Sequence, residues 1–272
     1  MSYLDVNGLS LYYEEHGEGE PLILLHGGLG SGEMFGPVLQ ELASHRRVIL
    51  PDLEAHGRTA EAGRPLRFET MADDIASLTR HLCLDQADVL GYSLGGGAAL
   101  RLAIQHPALV RRLVLLSVPC KRTGWYPEVL AGFDAMSAQF AEAFRPSPIY
   151  EVYSRVAPRT DDFPVLLDRA GDLLRQDYDW TGDIAGIDAP VMLVFSDADS
   201  IKPEHIVEFY QLFGGGQRDA HWDGSLRPPS RLAVLPGQIH TDVLTAPGLA
   251  AVVSAFLDEP VLVPPSMEPA RS

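Results

Sequence analysis

Gly91-Tyr92-Ser93-Leu94-Gly95 sets a hydroxyl between two glycines. The five residues follow an apolar run at 87–90 and open a segment of helical spacing at 94–105, so the chain must turn sharply from strand into helix at Ser93. Such a turn holds the serine in strained backbone geometry and needs small neighbours. It also presents the hydroxyl at a helix N-terminus, where the dipole favours negative charge developing beside it. This is a setting for nucleophilic attack on an acyl carbon, given a base and an acid within reach.

Nine histidines are available as the base. His16, His45, His56, His81, His106, His205 and His221 fall in turns, on helix surfaces or at loop ends, and His26 shapes a glycine loop. His240 ends Leu235-Pro236-Gly237-Gln238-Ile239-His240, past the last strand-like run and before the last helix, where a parallel sheet gathers its sites. An elbow of this kind takes its partners in the chain order serine, acid, histidine. The run at 191–195 leads into Ser196-Asp197-Ala198-Asp199; Asp199, further into the loop, is the expected acid and Asp197 the alternative. Ser117, Val118, Pro119 and Cys120, after the preceding strand, carry no carboxylate. His26-Gly27-Gly28 follows the run at 22–25, and the N–H groups of Gly28 and Leu94 are the expected donors to an oxyanion, with Leu29 a rival to Gly28.

The elements that must hold these residues are legible as periodicity. An alternating pattern at 3–6 and 9–13 around Asn7-Gly8 predicts a hairpin. Short apolar runs at 22–25, 48–50, 87–90, 113–116, 191–195 and 232–235 suit strands buried on both faces. Helical spacing at 35–43, 71–82, 94–105, 205–212 and 249–257 separates them. This alternation predicts an α/β fold, a mostly parallel doubly wound sheet that begins with an antiparallel hairpin. It lapses between residues 121 and 186, which predict a helical cap inserted into a core of residues 1–120 and 187–259. Residues 214–230 predict a long loop, and 260–272 a proline-rich flexible tail.

The 21 basic and 37 acidic residues give a formal charge of -16, which repels phosphate backbones and anionic surfaces, so neither nucleic acid nor membrane is an expected partner. Cys83 and Cys120, the two cysteines, are too few for a disulfide framework and lack zinc-site spacing. No basic region followed by an apolar run opens the chain, and no apolar stretch approaches the roughly 20 residues a membrane helix needs; a soluble, cytoplasmic protein is expected.

Taken in order, H-G-G at 26–28, P-D-L-E-A-H-G at 51–57, G-Y-S-L-G-G at 91–96, D-A-D at 197–199 and P-G-Q-I-H at 236–240 resemble the α/β-hydrolase superfamily, and within it the small cap-bearing, esterase-like serine hydrolases. The resemblance covers nearly the whole chain, and its one departure is Ser196 where the family often has glycine. It implies acyl transfer by Ser93, His240 and Asp199 on a small, fairly apolar ester or lactone, with no metal or cofactor required. Leu29, Tyr92, Trp125, Tyr126 and Phe133 are expected in the substrate pocket, with Phe140 and Phe144 as further cap aromatics. Two other uses of this scaffold stand beside that reading. One is carbon-carbon hydrolysis, for which Arg122, Arg145, Arg155 or Arg159 would grip a carboxylate; the other is a slowly turning-over ligand receptor.

Overall fold

Period-two alternation organises the molecule, because each central strand sends successive side chains into two different apolar cores. In β3 (Glu20–Leu25), Leu22 and Leu24 enter one core while Ile23 and Leu25 enter the other. The same split recurs in β4 (Arg46–Pro51), β5 (Ala87–Tyr92), β6 (Val110–Leu116) and β7 (Val191–Ala198). Strands apolar on both faces must be covered on both.

The computed structural model describes residues 2–260. The proline-rich tail expected from 260 onward therefore lies, from 261 to 272, outside the described residues. With the hairpin β1 (Ser2–Val6) and β2 (Leu9–His16), and the last strand β8 (Arg231–Ile239), the sheet has eight strands in the order β1-β2-β4-β3-β5-β6-β7-β8. The pairs β1–β2 and β2–β4 are antiparallel and all others parallel, so the expected α/β fold class stands.

Helix α1 (Gly36–Ala43) lies on one face of the sheet; α2 (Phe68–His81) and α3 (Leu94–Gln105) lie on the other. Between β6 and β7 the chain inserts α4 (Pro127–Ala135), α5 (Ala141–Phe144), α6 (Pro148–Val156) and α7 (Phe163–Leu174). After β7 come α8 (Pro203–Leu212), on the α2 and α3 side, and finally α9 (Leu249–Leu257), which packs beside α1. None of the described helices is long and apolar enough to cross a membrane. The strands run longer than their apolar runs suggest. Most of the additional residues of β7 and β8 are polar or turn-forming, and pairing partners hold them extended.

One contact fixes the elbow against the neighbouring strand. A Cβ on Gly95 would lie 2.3 Å from the Leu25 carbonyl oxygen and 2.4 Å from that of His26, both backbone atoms with no room to move. The first turn of α3 therefore sits directly on the end of β3. Gly132, within α4, would meet nothing within 4 Å. Gly95→Ala is expected to lose roughly 2–3 kcal/mol or more by overpacking, while Gly132→Ala should gain roughly 0.5–1 kcal/mol from chain entropy. Urea unfolding of both variants measures this, and equal stabilities would contradict the close approach.

Candidate active site

Ser93 stands where β5 ends and α3 begins, at φ 52° and ψ −115°, a left-handed backbone rare for a residue with a side chain. Bonds on both sides hold it there: its N–H donates to the Leu116 carbonyl at 2.9 Å, and its carbonyl accepts the Gly97 N–H at 3.1 Å. The Ser93 hydroxyl lies 3.0 Å from His240 Nε2, and His240 Nδ1 lies 2.9 Å from Asp199 Oδ1.

Strand register brings the imidazole and carboxylate together. Ser196 pairs with Leu235 but Ala198 pairs with Ile239, so β8 uses four residues where β7 uses two. The surplus is taken up at Pro236-Gly237, with Gly237 at φ 71°, an irregularity that an edge strand tolerates. Pairing then resumes at Ala198 and Ile239, the last residues of the two strands, and the residues that follow them are Asp199 and His240. Asp197, the alternative acid, is exposed and engages the irregularity of β8 instead. Its carboxylate accepts the Gln238 N–H at 3.1 Å, and the Gly237 and Gln238 N–H groups hold it below the usual carboxylate range. It pins the irregularity and does not meet the imidazole.

Asp199 is almost fully buried, which works to raise its pKa, yet the His240 ring, the Ser117 hydroxyl and the Ser196 N–H together hold it below the usual range. Its Oδ2 accepts from Ser117 Oγ at 2.6 Å and from Ser196 N at 3.0 Å, and its Oδ1 from Ser200 N at 2.8 Å. A carboxylate so supplied stays ionised and fixes the imidazole with Nε2 facing the hydroxyl. The sequence reading missed Ser117, wholly buried at φ 50° just past β6. Its only sequence signal is a small polar residue ending an apolar run. A second missed contact is the Tyr92 hydroxyl, which donates to the His240 carbonyl at 2.8 Å and ties the histidine loop to the elbow.

Gly28, Leu29 and Leu94 border the cavity in front of Ser93, and among the described residues none of their N–H groups has an acceptor. Donors free in this way can meet an oxyanion. Beneath the loop, His26 donates from Nδ1 to the Gly27 carbonyl at 2.8 Å and accepts the Leu53 N–H on Nε2 at 2.9 Å, which fixes its tautomer. His56 packs beside it, ring centroids 5.4 Å apart. Burial drives both imidazoles down, His26 to about 4 and His56 to about 3, so both are neutral supports.

The cavity holds about 560 Å³. Leu29, Tyr92, Trp125 and Phe133 line it as expected, and the Trp125 ring lies 5.4 Å from that of His240. Tyr126 does not, contrary to expectation. Residues 125 and 126 are both extended, so their side chains leave on opposite sides, and burying Trp125 turns Tyr126 away. Phe140 and Phe144 also lie off the cavity, Phe140 exposed and Phe144 packed on Phe163. Missed by the sequence reading were Met34, Phe68 and Tyr178, which come from segments distant in the chain. Among the described residues, no group of three or more His, Cys, Asp or Glu is placed to hold a metal ion.

Fold and site together define an enzyme of the hydrolase class, built on a strand–serine–helix elbow at the C-terminal edge of a parallel sheet. Residues 20–149 match the family model described as the alpha/beta hydrolase fold. The chain is 29% identical over 273 residues to the pimeloyl-[acyl-carrier protein] methyl ester esterase of Yersinia pseudotuberculosis serotype O:1b (strain IP 31758), covering 92% of this chain and 98% of that protein. It is 38% identical to the 2-hydroxymuconate semialdehyde hydrolase of Pseudomonas sp. (strain CF600) over 113 residues, 40% of each chain. Among solved structures it resembles a thermophilic esterase from Thermogutta terrifontis, with a TM-score of 0.70 at 21% identity over 94% of this chain and 96% of that one. The chain has the α/β-hydrolase fold, and its residues 20–149 carry the sequence pattern of that family.

Two measurements follow from this geometry. On a single ester substrate, Asp199→Asn is expected to lower kcat by on the order of a thousandfold, Ser117→Ala by about tenfold for one lost hydrogen bond, and Asp197→Asn by less than about threefold. An inactive Asp197→Asn beside a normal Asp199→Asn would reverse the acid assignment. The second concerns stability in acid. Well above pH 6.5 His26 and His56 are neutral whether folded or unfolded. As pH falls from there toward about 4 and 3, the unfolded chain takes up protons that the folded chain refuses, and stability is lost. His56→Gln should therefore lose about 2 kcal/mol less than wild type between pH 8 and pH 5, read from denaturant midpoints; parallel losses would show His56 to titrate normally.

Proposed function

We propose that the protein is a serine hydrolase of small, neutral, fairly apolar carboxylic esters or lactones, working through an acyl-enzyme. In this reading His240 accepts the Ser93 proton as the oxygen attacks the acyl carbon. The tetrahedral oxyanion is met by the Leu94 N–H and by that of Gly28. His240 returns the proton to the leaving alcohol; water, activated by the same imidazole, then releases the acid. Asp199 orients the ring and stabilises its protonated form. Residues 121–186 act as a cap on the core formed by 1–120 and 187–259, supplying Trp125, Phe133 and Tyr178 to the cavity. The unbridged thiols of Cys83 and Cys120 suit a reducing, cytoplasmic compartment.

The observation that carries this reading is the line of hydrogen bonds from Ser93 through His240 to Asp199, opening on an apolar cavity. The carbon-carbon alternative is not favoured. It requires a cation for a substrate carboxylate, and none of the four cap arginines lines the cavity. Arg122 pairs with Asp134, Arg145 with Glu142, Arg155 with Glu33 and Arg159 with Asp162.

Ser93→Ala is expected to lower kcat/KM on p-nitrophenyl esters by at least about 10⁴-fold without changing the circular dichroism spectrum. A fluorophosphonate probe should label wild type at Ser93 alone, as found by peptide mass spectrometry. Near-normal turnover by the variant, or labelling of another serine, would remove the nucleophile assignment.

A further inference from the structure

The cavity wall is largely apolar, and Tyr178 is one of the few polar groups on it. Tyr178 packs against Phe68 and Trp180, ring centroids 5.8 Å and 4.6 Å away, and lines the cavity while partly buried. Its backbone is held firmly: its carbonyl accepts the Arg122 N–H at 2.9 Å, and the next residue, Asp179, bridges to Lys121. The phenol oxygen accepts the Trp125 indole N–H at 3.2 Å. A phenol also has a proton to give, and among the described residues this one has no acceptor.

The other hydroxyls on the wall are differently placed. Tyr92 spends its proton on the His240 carbonyl, and Ser93 faces His240. Ser200 and Thr241 directly follow Asp199 and His240 in the chain, and Thr241 is open to solvent. Tyr178 stands one indole away from His240, since the same Trp125 ring packs on the imidazole and bonds the phenol. A rigid donor left unpaired in an apolar chamber is stabilised by whatever acceptor a ligand brings.

We infer that Tyr178 is a specificity-determining residue, donating a hydrogen bond to a second, neutral acceptor oxygen of the substrate, a ketone, amide, ester or ether oxygen set apart from the scissile carbonyl. This rests on the reading of Ser93 as nucleophile. Neutrality follows from the lining, which includes no Lys, Arg, Asp or Glu, so a carboxylate at that position would be buried without a counter-charge.

The test compares kcat/KM for p-nitrophenyl heptanoate with its 4-, 5- and 6-oxo analogues, and for butyl butanoate with its 3-oxobutyl and 2-methoxyethyl counterparts, each normalised to its alkaline hydrolysis rate. Wild type should favour at least one oxygenated member over its plain parent by about three- to tenfold. Tyr178→Phe, which keeps the ring packing, should erase that preference, so that its normalised ratio of oxygenated to plain ester falls to about one whatever the variant's rate on the plain esters. If no oxygenated member is preferred by wild type, or if Tyr178→Phe lowers every substrate equally, the inference fails. Ser93→Ala assayed alongside on the plain esters keeps the two readings separate, because its residual activity reports only on the nucleophile.

Discussion

The pairing of β7 with β8 past an irregularity is the constraint on which the rest of the site depends. Had the two strands kept the register of Ser196 and Leu235, His240 would not stand beside Asp199; taking up two residues at Pro236-Gly237 restores pairing at Ala198 and Ile239 and delivers both side chains together. The strain sits in an edge strand, where a missing N–H and a glycine at positive φ disturb no further neighbour. Asp197 serves this arrangement from outside, and Ser117 and Ser196 serve it from inside by supplying Asp199. Carboxylates two residues apart thus have different tasks because Asp197 still lies within β7, against the irregularity of β8, whereas Asp199 lies just past the strand's end, among Ser117, Ser196 and His240.

Environment, more than residue type, separates reactive from inert groups here. Cys120, His205 and Glu208 form a second thiol–imidazole–carboxylate series, with the sulfur 3.8 Å from His205 Nε2 and Nδ1 3.0 Å from Glu208. There, however, Nε2 accepts from the Cys120 backbone N–H at 3.3 Å, and burial pushes the thiol up to about 12. The imidazole is occupied and the thiolate suppressed, so the series ties the β6 end to α8. At Ser93 the corresponding imidazole has its second nitrogen free for the hydroxyl, and the site opens on a cavity.

The helical insertion contributes the cavity's shape and much of its wall, and its cations are engaged in ion pairs elsewhere. Arg155 reaches across to Glu33, which also binds Arg58 at 2.7 Å, so charge joins the insertion to the core outside the apolar chamber. The chamber itself is lined by no Lys, Arg, Asp or Glu.

By itself the sequence determined the α/β fold class, the strand–serine–helix turn, and the order serine, acid, histidine along the chain. These are local or periodic properties: apolar alternation, glycines at a sharp turn, polar residues at strand ends. Position in the loop favours Asp199 over Asp197, although β7 continues through both Asp197 and Ala198. Only the tertiary structure decided the register of β7 against β8, the support of Asp199 by Ser117, the turning of Tyr126 away from Trp125, and the meeting of Met34, Phe68 and Tyr178 on one wall. Each of these is a contact between segments far apart in the chain, set by which strand or helix packs beside which. Side-chain periodicity within a segment carries no record of that choice.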